Sequence, residues 1–214
     1  MKIIKPSFII EEDINGQKIL EKLEKIGRVC YKSEDKIKDE SAEKFISGII
    51  KSGHESVLEH EKITVRFICD RAISHEIVRH RMASYSQEST RYVNYQKKGL
   101  QFIQPCWFVN DYTENINLED ISNQEEKIWL QSMILLEKNY NKLIEKGWTA
   151  QEARSILPNS LKTELVMTSN IRGWRNFFRL RCPKSAHPQM RELSIPLLKK
   201  FQELIPILFD DLEF

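Results

Sequence analysis

From Ile63 to Cys69, the residues Ile63, Val65, Phe67 and Cys69 alternate with Thr64, Arg66 and Ile68, the period of a strand with one buried face. The period returns in Leu161, Thr163, Leu165 and Met167, and each run leads into a helical pattern. The first helix is expected from about Ala72 to His80, and the second, capped by Asn170, to about Arg181. Shorter strands are expected at Ser7 to Glu11 and Gly99 to Gln104. Gln17 to Gly27 reads as a helix with Ile19, Leu20, Leu23 and Ile26 inward, and a second runs from about Ser41 to Ser52. Gly53 can then take the left-handed conformation that ends a helix, with His54 at the exit.

Ser122 and Glu125 form a capping-box pattern, after which Trp129, Met133, Leu136, Tyr140 and Leu143 keep helical spacing up to Gly147. Thr149 and Glu152 repeat that pattern before a short helix that carries Arg154 and stops before Pro158. A last helix runs from Ala186 through Pro196, where a kink is expected, and an acidic, Asn-rich loop spans about 109 to 122. Strands and helices mix without a strict strand-helix-strand rhythm, which favours an α+β fold with a mainly antiparallel sheet flanked by helices. No repeat, low-complexity tract or Pro/Gly linker marks a boundary, so residues 1–214 are expected to form a single domain.

Thirty-three basic against 31 acidic residues leave a formal charge of only +2, which argues against a nucleic-acid partner held by a general basic surface. A small RNA-binding module using arginine with Tyr92, Tyr95 and Trp174 would need an RNP-type strand motif that the chain lacks. The opening MKIIKPSFIIEEDING has no apolar signal-peptide core, and no stretch approaches the roughly 18 apolar residues of a membrane span. A cytoplasmic protein with no membrane partner is expected. Cys30, Cys69, Cys106 and Cys182 are widely separated, which fits packing thiols in a reducing compartment better than zinc or a disulfide framework.

Against that even background, residues 79 to 91 stand out: Arg79-His80-Arg81-Met82-Ala83-Ser84-Tyr85-Ser86-Gln87-Glu88-Ser89-Thr90-Arg91. Three arginine forks match phosphate or carboxylate oxygens, and the serine hydroxyls are short enough to sit beside a bound anion. The alternative is a solvated charged turn, but only Glu76 and Glu88 lie nearby as acidic partners. Arg79 and Arg81 would diverge by about 200° on a continuing helix. Either the helix ends there and both turn inward, or each serves a different ligand or subunit. Ser89 and Arg91 would share a face if that piece is extended.

A second polar group, His54, Glu59 and His60, lacks the i, i+4 histidines of a zinc helix, so no metal is expected; structural histidines are its plain alternative. A third comprises Arg154, Asn170, Arg172, Arg175, Asn176, Arg179 and Arg181, with His187 beyond. Arg172, Arg175 and Arg179 fall on one side of a helix and Ile171, Trp174 and Phe178 on the other, so most of these arginines could be a wet face. Arg181 lies off that row, at a helix C-terminus where the dipole favours a cation. No P-loop or dinucleotide glycine motif, aspartate cluster or Gly-x-Ser-x-Gly elbow occurs, so phosphate must be gripped by side chains.

Arg79-His80-Arg81, seven intervening residues and Ser89-Thr90-Arg91 match the R-H-R, S-x-R signature of the flavin-dependent thymidylate synthases. The chain resembles that family further at His54-Glu55-Ser56, from Ala153-Arg154 to Leu157-Pro158, and from Asn170 to His187, which covers most of the chain after about residue 40. The resemblance implies a homotetramer with active sites assembled from several subunits around FAD. It also implies methylation of dUMP to dTMP, with 5,10-methylenetetrahydrofolate as carbon donor and NADPH as reductant through the flavin. By position, Ser56, Arg79, His80, Arg81, Gln87, Asn170, Arg172 and Asn176 would touch FAD, with His54 near the flavin ring. Glu76, Arg79, Gln87, Glu88, Ser89, Arg91, Arg154 and Arg181 would hold dUMP.

Conventional thymidylate synthases add a cysteine to C6 of the uracil, yet none of the four cysteines here lies in the signature or the His54 turn. The resemblance instead makes Arg181 the catalytic residue, stabilising negative charge on the uracil as N3 loses its proton. Ser89 would bind substrate without attacking it. The chain departs from the family in carrying Gln87 where Glu is common and Glu76 where Gln occurs, and in its spacing from Arg181 to His187. A different flavin- and nucleotide-binding enzyme on the same scaffold is the alternative reading.

Overall fold

The computed structural model describes residues 1–114 and 116–214. Position 115, inside the expected acidic loop, lies outside the described residues. In chain order the elements are β1 (Lys2–Ile4), β2 (Ser7–Ile10), α1 (Gly16–Val29), α2 (Ser41–Lys51), β3 (Lys62–Asp70), α3 (Arg71–Ile77), β4 (Ala83–Gln87) and α4 (Tyr95–Lys98). There follow β5 (Gln101–Ile103), α5 (Gln124–Glu145), α6 (Ala150–Ala153), β6 (Lys162–Asn170), α7 (Ile171–Arg181), α8 (Pro188–Leu204) and α9 (Pro206–Phe209). Helix and sheet are mixed, with an antiparallel sheet, as the strand-helix order implied. The four-stranded sheet has the order β2-β3-β6-β4, and β1 pairs in parallel with β5.

The chain divides into two compact units that interleave in sequence. The first comprises Met1–Ser7, Phe67–Arg79 and Ser86–Leu165; the second comprises Phe8–Arg66, His80–Tyr85 and Val166–Phe214. Each draws on three separated segments, so no single cut of the chain divides them.

Both long strands have the alternation expected of them. Ile63, Val65, Phe67 and Cys69 are buried on β3, and Thr163, Leu165 and Met167 on β6. Each strand's last residue also caps the helix that follows. Asp70 Oδ1 accepts from Ile73 N at 2.7 Å and Asn170 Oδ1 from Gly173 N at 2.8 Å, each satisfying an amide that has no partner inside the helix. Strand and helix therefore join without a loop, which fixes where α3 and α7 begin.

Three local expectations need correction. α3 stops at Ile77, not near His80. Beyond it the His80 carbonyl accepts from the Tyr85 hydroxyl at 2.6 Å, a bond outside the helical ladder, and the chain turns into β4, which the sequence did not announce. The long helix is capped by Asn123 rather than Ser122. Its Glu126 is buried and accepts from Val109 N at 2.6 Å, Asn110 Nδ2 at 3.0 Å and the Tyr112 hydroxyl at 2.6 Å, tying down the start of the acidic loop. Finally, His187 serves as N-cap of α8, which begins at Pro188 and contains Pro196.

In the first unit, Ile3, Leu100, Phe102, Leu130, Met133, Tyr140 and Leu161 form a continuous core around α5. The second unit's core is aromatic: Trp174, Phe177, Phe178, Phe201 and Phe209 meet largely edge to face, with centroids 5.1 to 6.1 Å apart. Trp174 Nε1 donates to the Ile63 carbonyl at 3.0 Å, so the largest core side chain leaves no buried donor unpaired.

Candidate active site

Within the second unit, α7 presents its arginine row to the turn that follows α2. Gly53 does take a left-handed φ of 70°, and the helical turn Glu55–His60 follows. Arg172 Nη1 pairs with Glu59 at 2.6 Å, and Arg179 Nη2 with Glu55 at 3.0 Å. Arg175 overturns the wet-face expectation. It is 0% exposed and bonds Glu55 at 3.2 Å, both Asp211 oxygens at 2.7 and 2.6 Å, and the Leu208 carbonyl. Burial alone would raise the Glu55 carboxyl, but hydrogen bonding and charge from Arg179 and Arg175 outweigh it and hold the group below its ordinary range. The Arg175 hydrogen bond lowers Asp211 likewise. These contacts assign Arg175 to architecture.

Arg181, the last residue of α7, is half-buried, and its backbone carbonyl accepts from Ser194 Oγ at 2.7 Å. Its Nε donates to His80 Nε2 at 3.0 Å, while the His80 ring lies 4.9 Å from that of Phe177. Burial and the Arg181 charge push the imidazole down to about 4. At neutral pH the ring is therefore uncharged, and its Nε2 lone pair is available to the guanidinium. Signature histidine and candidate catalytic arginine thus form one hydrogen-bonded pair.

The second unit's other candidates are more open. His54 is exposed, its Nδ1 3.0 Å from the Tyr31 hydroxyl. Ser56, Arg81 and Asn176 are exposed as well. No side-chain hydrogen bond or ion pair engages Arg81 or Asn176 among the described residues, so their donors remain available to a ligand. Asn170 has its carbonyl oxygen committed to the α7 cap.

Within the first unit, Ser89 and Arg91 occupy a turn closed by Tyr92 N to Ser89 O at 3.2 Å, not the extended piece considered from sequence. Arg91 N donates to Ser89 Oγ at 3.3 Å, and Arg91 Nε to Gln151 Oε1 on α6 at 3.1 Å. Arg154 Nη1 donates to Thr90 Oγ1 at 3.4 Å. Neither Arg91 nor Arg154 joins an ion pair among the described residues, although both are held in place. Two positioned cations with neutral partners, near the Ser89 hydroxyl, are donors whose geometry suits phosphate oxygens.

The remaining candidates of this unit differ in how far they are committed. Gln87 Nε2 donates to Ser74 Oγ at 2.9 Å and Thr163 Oγ1 at 3.3 Å, leaving its carbonyl oxygen. Glu88 accepts from Tyr95 at 3.1 Å and Lys162 at 3.1 Å, so both its oxygens are engaged. Glu76 is half-buried in the last turn of α3, and Arg79 is exposed just past it. Gln151, Thr90 and Glu55 position the candidate residues; Thr90 and Glu55 stand in the sequence only as members of motifs and Gln151 not at all, because the partners of all three are distant along the chain. Arg71 was also missed: its Nη1 is buried without a hydrogen-bond partner.

The described residues thus present positioned side-chain cations and amides, donors of the kind that phosphate oxygens accept from, with no P-loop in the sequence. The sequence matches the family described as "Thymidylate synthase complementing protein" over residues 16–207. It is 34% identical over 194 residues to a flavin-dependent thymidylate synthase of Corynebacterium aurimucosum, covering 86% of this chain and 76% of that protein. Proteins of the same name from Geobacter sulfurreducens and Mycobacterium tuberculosis are each 31% identical, over 86% and 87% of this chain and 78% and 77% of theirs. The chain belongs to the flavin-dependent thymidylate synthase family. Among the described residues no helix is long and apolar enough to cross a membrane, and no His, Cys, Asp or Glu group could hold a metal ion.

Proposed function

We propose that this protein reductively methylates dUMP to dTMP, with 5,10-methylenetetrahydrofolate as carbon donor, NADPH as reductant and FAD as bound flavin. The observation that carries the reading is Arg181 Nε held on neutral His80 Nε2 at 3.0 Å, which joins the R-H-R signature to the end of α7. A guanidinium fixed by a hydrogen bond at one nitrogen and by its helix needs little reorganisation when negative charge develops beside it. Arg181 stabilises the uracil as N3 loses its proton, so that C5 becomes nucleophilic without a cysteine adding to C6. Cys69 and Cys182 suit no such attack: both are buried, and burial pushes both thiols up.

Ser89, Arg91 and Arg154 bind the dUMP phosphate, and Gln87 and Glu76 supply further hydrogen-bonding groups. The open donors of Arg79, Arg81 and Asn176, with Ser56, Arg172 and Asn170, suit FAD, whose pyrophosphate and polar ring edge need donors of this kind. His54 lies at the flavin ring. When bound, the reduced flavin supplies the hydride that no side chain can. The chain works as a single domain over residues 1–214, in a cytoplasmic homotetramer.

The test is direct. Purified protein should be yellow, its flavin bleached by NADPH under anaerobic conditions, and adding dUMP with methylenetetrahydrofolate should restore the colour with matching dTMP formation. Colourless protein without flavin affinity, or reoxidation without dTMP, would overturn the proposal.

A further inference from the structure

α1 and α2 approach closely at Gly27, where an added Cβ would stand 2.7 Å from the Phe45 ring. Beyond that contact, the end of α1, the following turn and one face of α2 line a groove of about 460 Å³ that reaches His54. Arg28 lies over the Phe45 ring at 4.7 Å and is neutralised by buried Glu24 at 2.6 Å, so this wall is an uncharged stack. Tyr31 adds an exposed ring whose hydroxyl is tied to His54 Nδ1 at 3.0 Å. Lys36 and Lys44 bring the unneutralised charge: among the described residues neither has an ion pair.

Gly48 is the telling residue. It sits inside α2, one turn from Lys44 and from Ser52, where glycine disfavours the helix relative to alanine. Neither a left-handed φ nor crowding requires it, since nothing lies within 4 Å of where its Cβ would stand. What the missing side chain leaves is open space along the groove. A groove with aromatic walls, free cations and a cleared floor suits a ring-bearing ligand with an anionic tail.

We propose that this groove binds one of the two diffusing co-substrates, placing its ring against Tyr31 and Phe45 and its anionic groups on Lys36 and Lys44. The inference rests on the function proposed above and adds a binding site for the partner of the flavin reaction. The anionic tail could be the glutamyl carboxylates of the folate or the phosphates of the nicotinamide dinucleotide, which share this chemistry and which the experiment separates.

FAD-loaded protein is titrated calorimetrically with tetrahydrofolate and, separately, with NADP⁺, as wild type, Gly48→Leu and the double variant Lys36→Ala/Lys44→Ala. Leucine favours the helix, so Gly48→Leu fills the groove without weakening α2. One ligand should lose about tenfold or more in affinity in Gly48→Leu, and a smaller, salt-dependent amount in the lysine variant, with dUMP affinity and flavin content unchanged. Loss for tetrahydrofolate assigns the groove to the carboxylate tail, and loss for NADP⁺ to the phosphate tail. Wild-type affinity for both ligands in both variants overturns the proposal, as does a wild type that binds neither. If Gly48→Leu loses its flavin, the lysine variant decides alone. Failure of the wider reading would show separately, as wild-type protein that makes no dTMP.

Discussion

Arg175 on α7 and Arg91 in the turn after β4 are the same residue put to opposite uses. Arg175 is wholly buried between two carboxylates and a backbone carbonyl, its charge spent inside the fold. Arg91 is exposed and held by a glutamine, and Arg154 by a threonine hydroxyl, so orientation is fixed while the positive charge stays unbalanced. The difference teaches how to sort the arginines of this chain. A wholly buried arginine between carboxylates marks architecture, whereas an exposed one with a neutral partner keeps a charge that a ligand can use.

The comparison can be broken at either end. Arg175→Ala should cost roughly 2–5 kcal/mol of stability, because it empties a wholly buried position and leaves the Leu208 carbonyl and Asp211 without their partner, although Glu55 keeps Arg179. Urea denaturation measures this, and a loss under 1 kcal/mol would remove Arg175 from the architectural class. Arg91→Ala and Arg154→Ala should each weaken dUMP binding by roughly 1.5–3 kcal/mol, the worth of a hydrogen bond to a charged group, with urea midpoints near wild type. Titration with dUMP reads the first quantity. Variants that destabilise the fold as much as they weaken dUMP binding would erase the distinction.

His80 offers a pH test. Its folded value is pushed down to about 4 from an ordinary 6.5, so between those values the unfolded chain takes up a proton that the native state refuses. The stability this group contributes is complete above about 6.5 and is lost progressively as pH falls toward 4. His80→Gln should flatten that part of the stability-pH profile; an unchanged slope would mean the neutral pairing with Arg181 is absent in solution. The smallest effect belongs to Asn123→Ala, which should cost about 1 kcal/mol through the lost α5 cap and leave dUMP affinity untouched.

What the sequence revealed follows from the range of each interaction. β3, β6 and α7 were legible because a period of two and strand-end caps lie within a few residues. β4 was not: Ala-Ser-Tyr-Ser-Gln has no apolar face, and its strand form depends on pairing with β6. β1, with three residues, is too short to carry a period and gains its meaning from β5. The arginine row of α7 could be read as a row, but the acids that bury Arg175 lie 120 and 36 residues away. Ser89, Arg91 and Arg154 were identified by motif, whereas Thr90 and Gln151, which aim them, are ordinary surface residue types until the fold brings them near.

The central claim is that a positioned arginine, not a cysteine, activates the uracil. Single-turnover dTMP formation by FAD-loaded Arg181→Ala tests it most directly, with dUMP and methylenetetrahydrofolate added to the NADPH-reduced protein. The account predicts retained flavin and a rate lower by about 10²–10³, the usual loss when a preorganised electrostatic partner is removed. A near-normal rate of dTMP formation would contradict it.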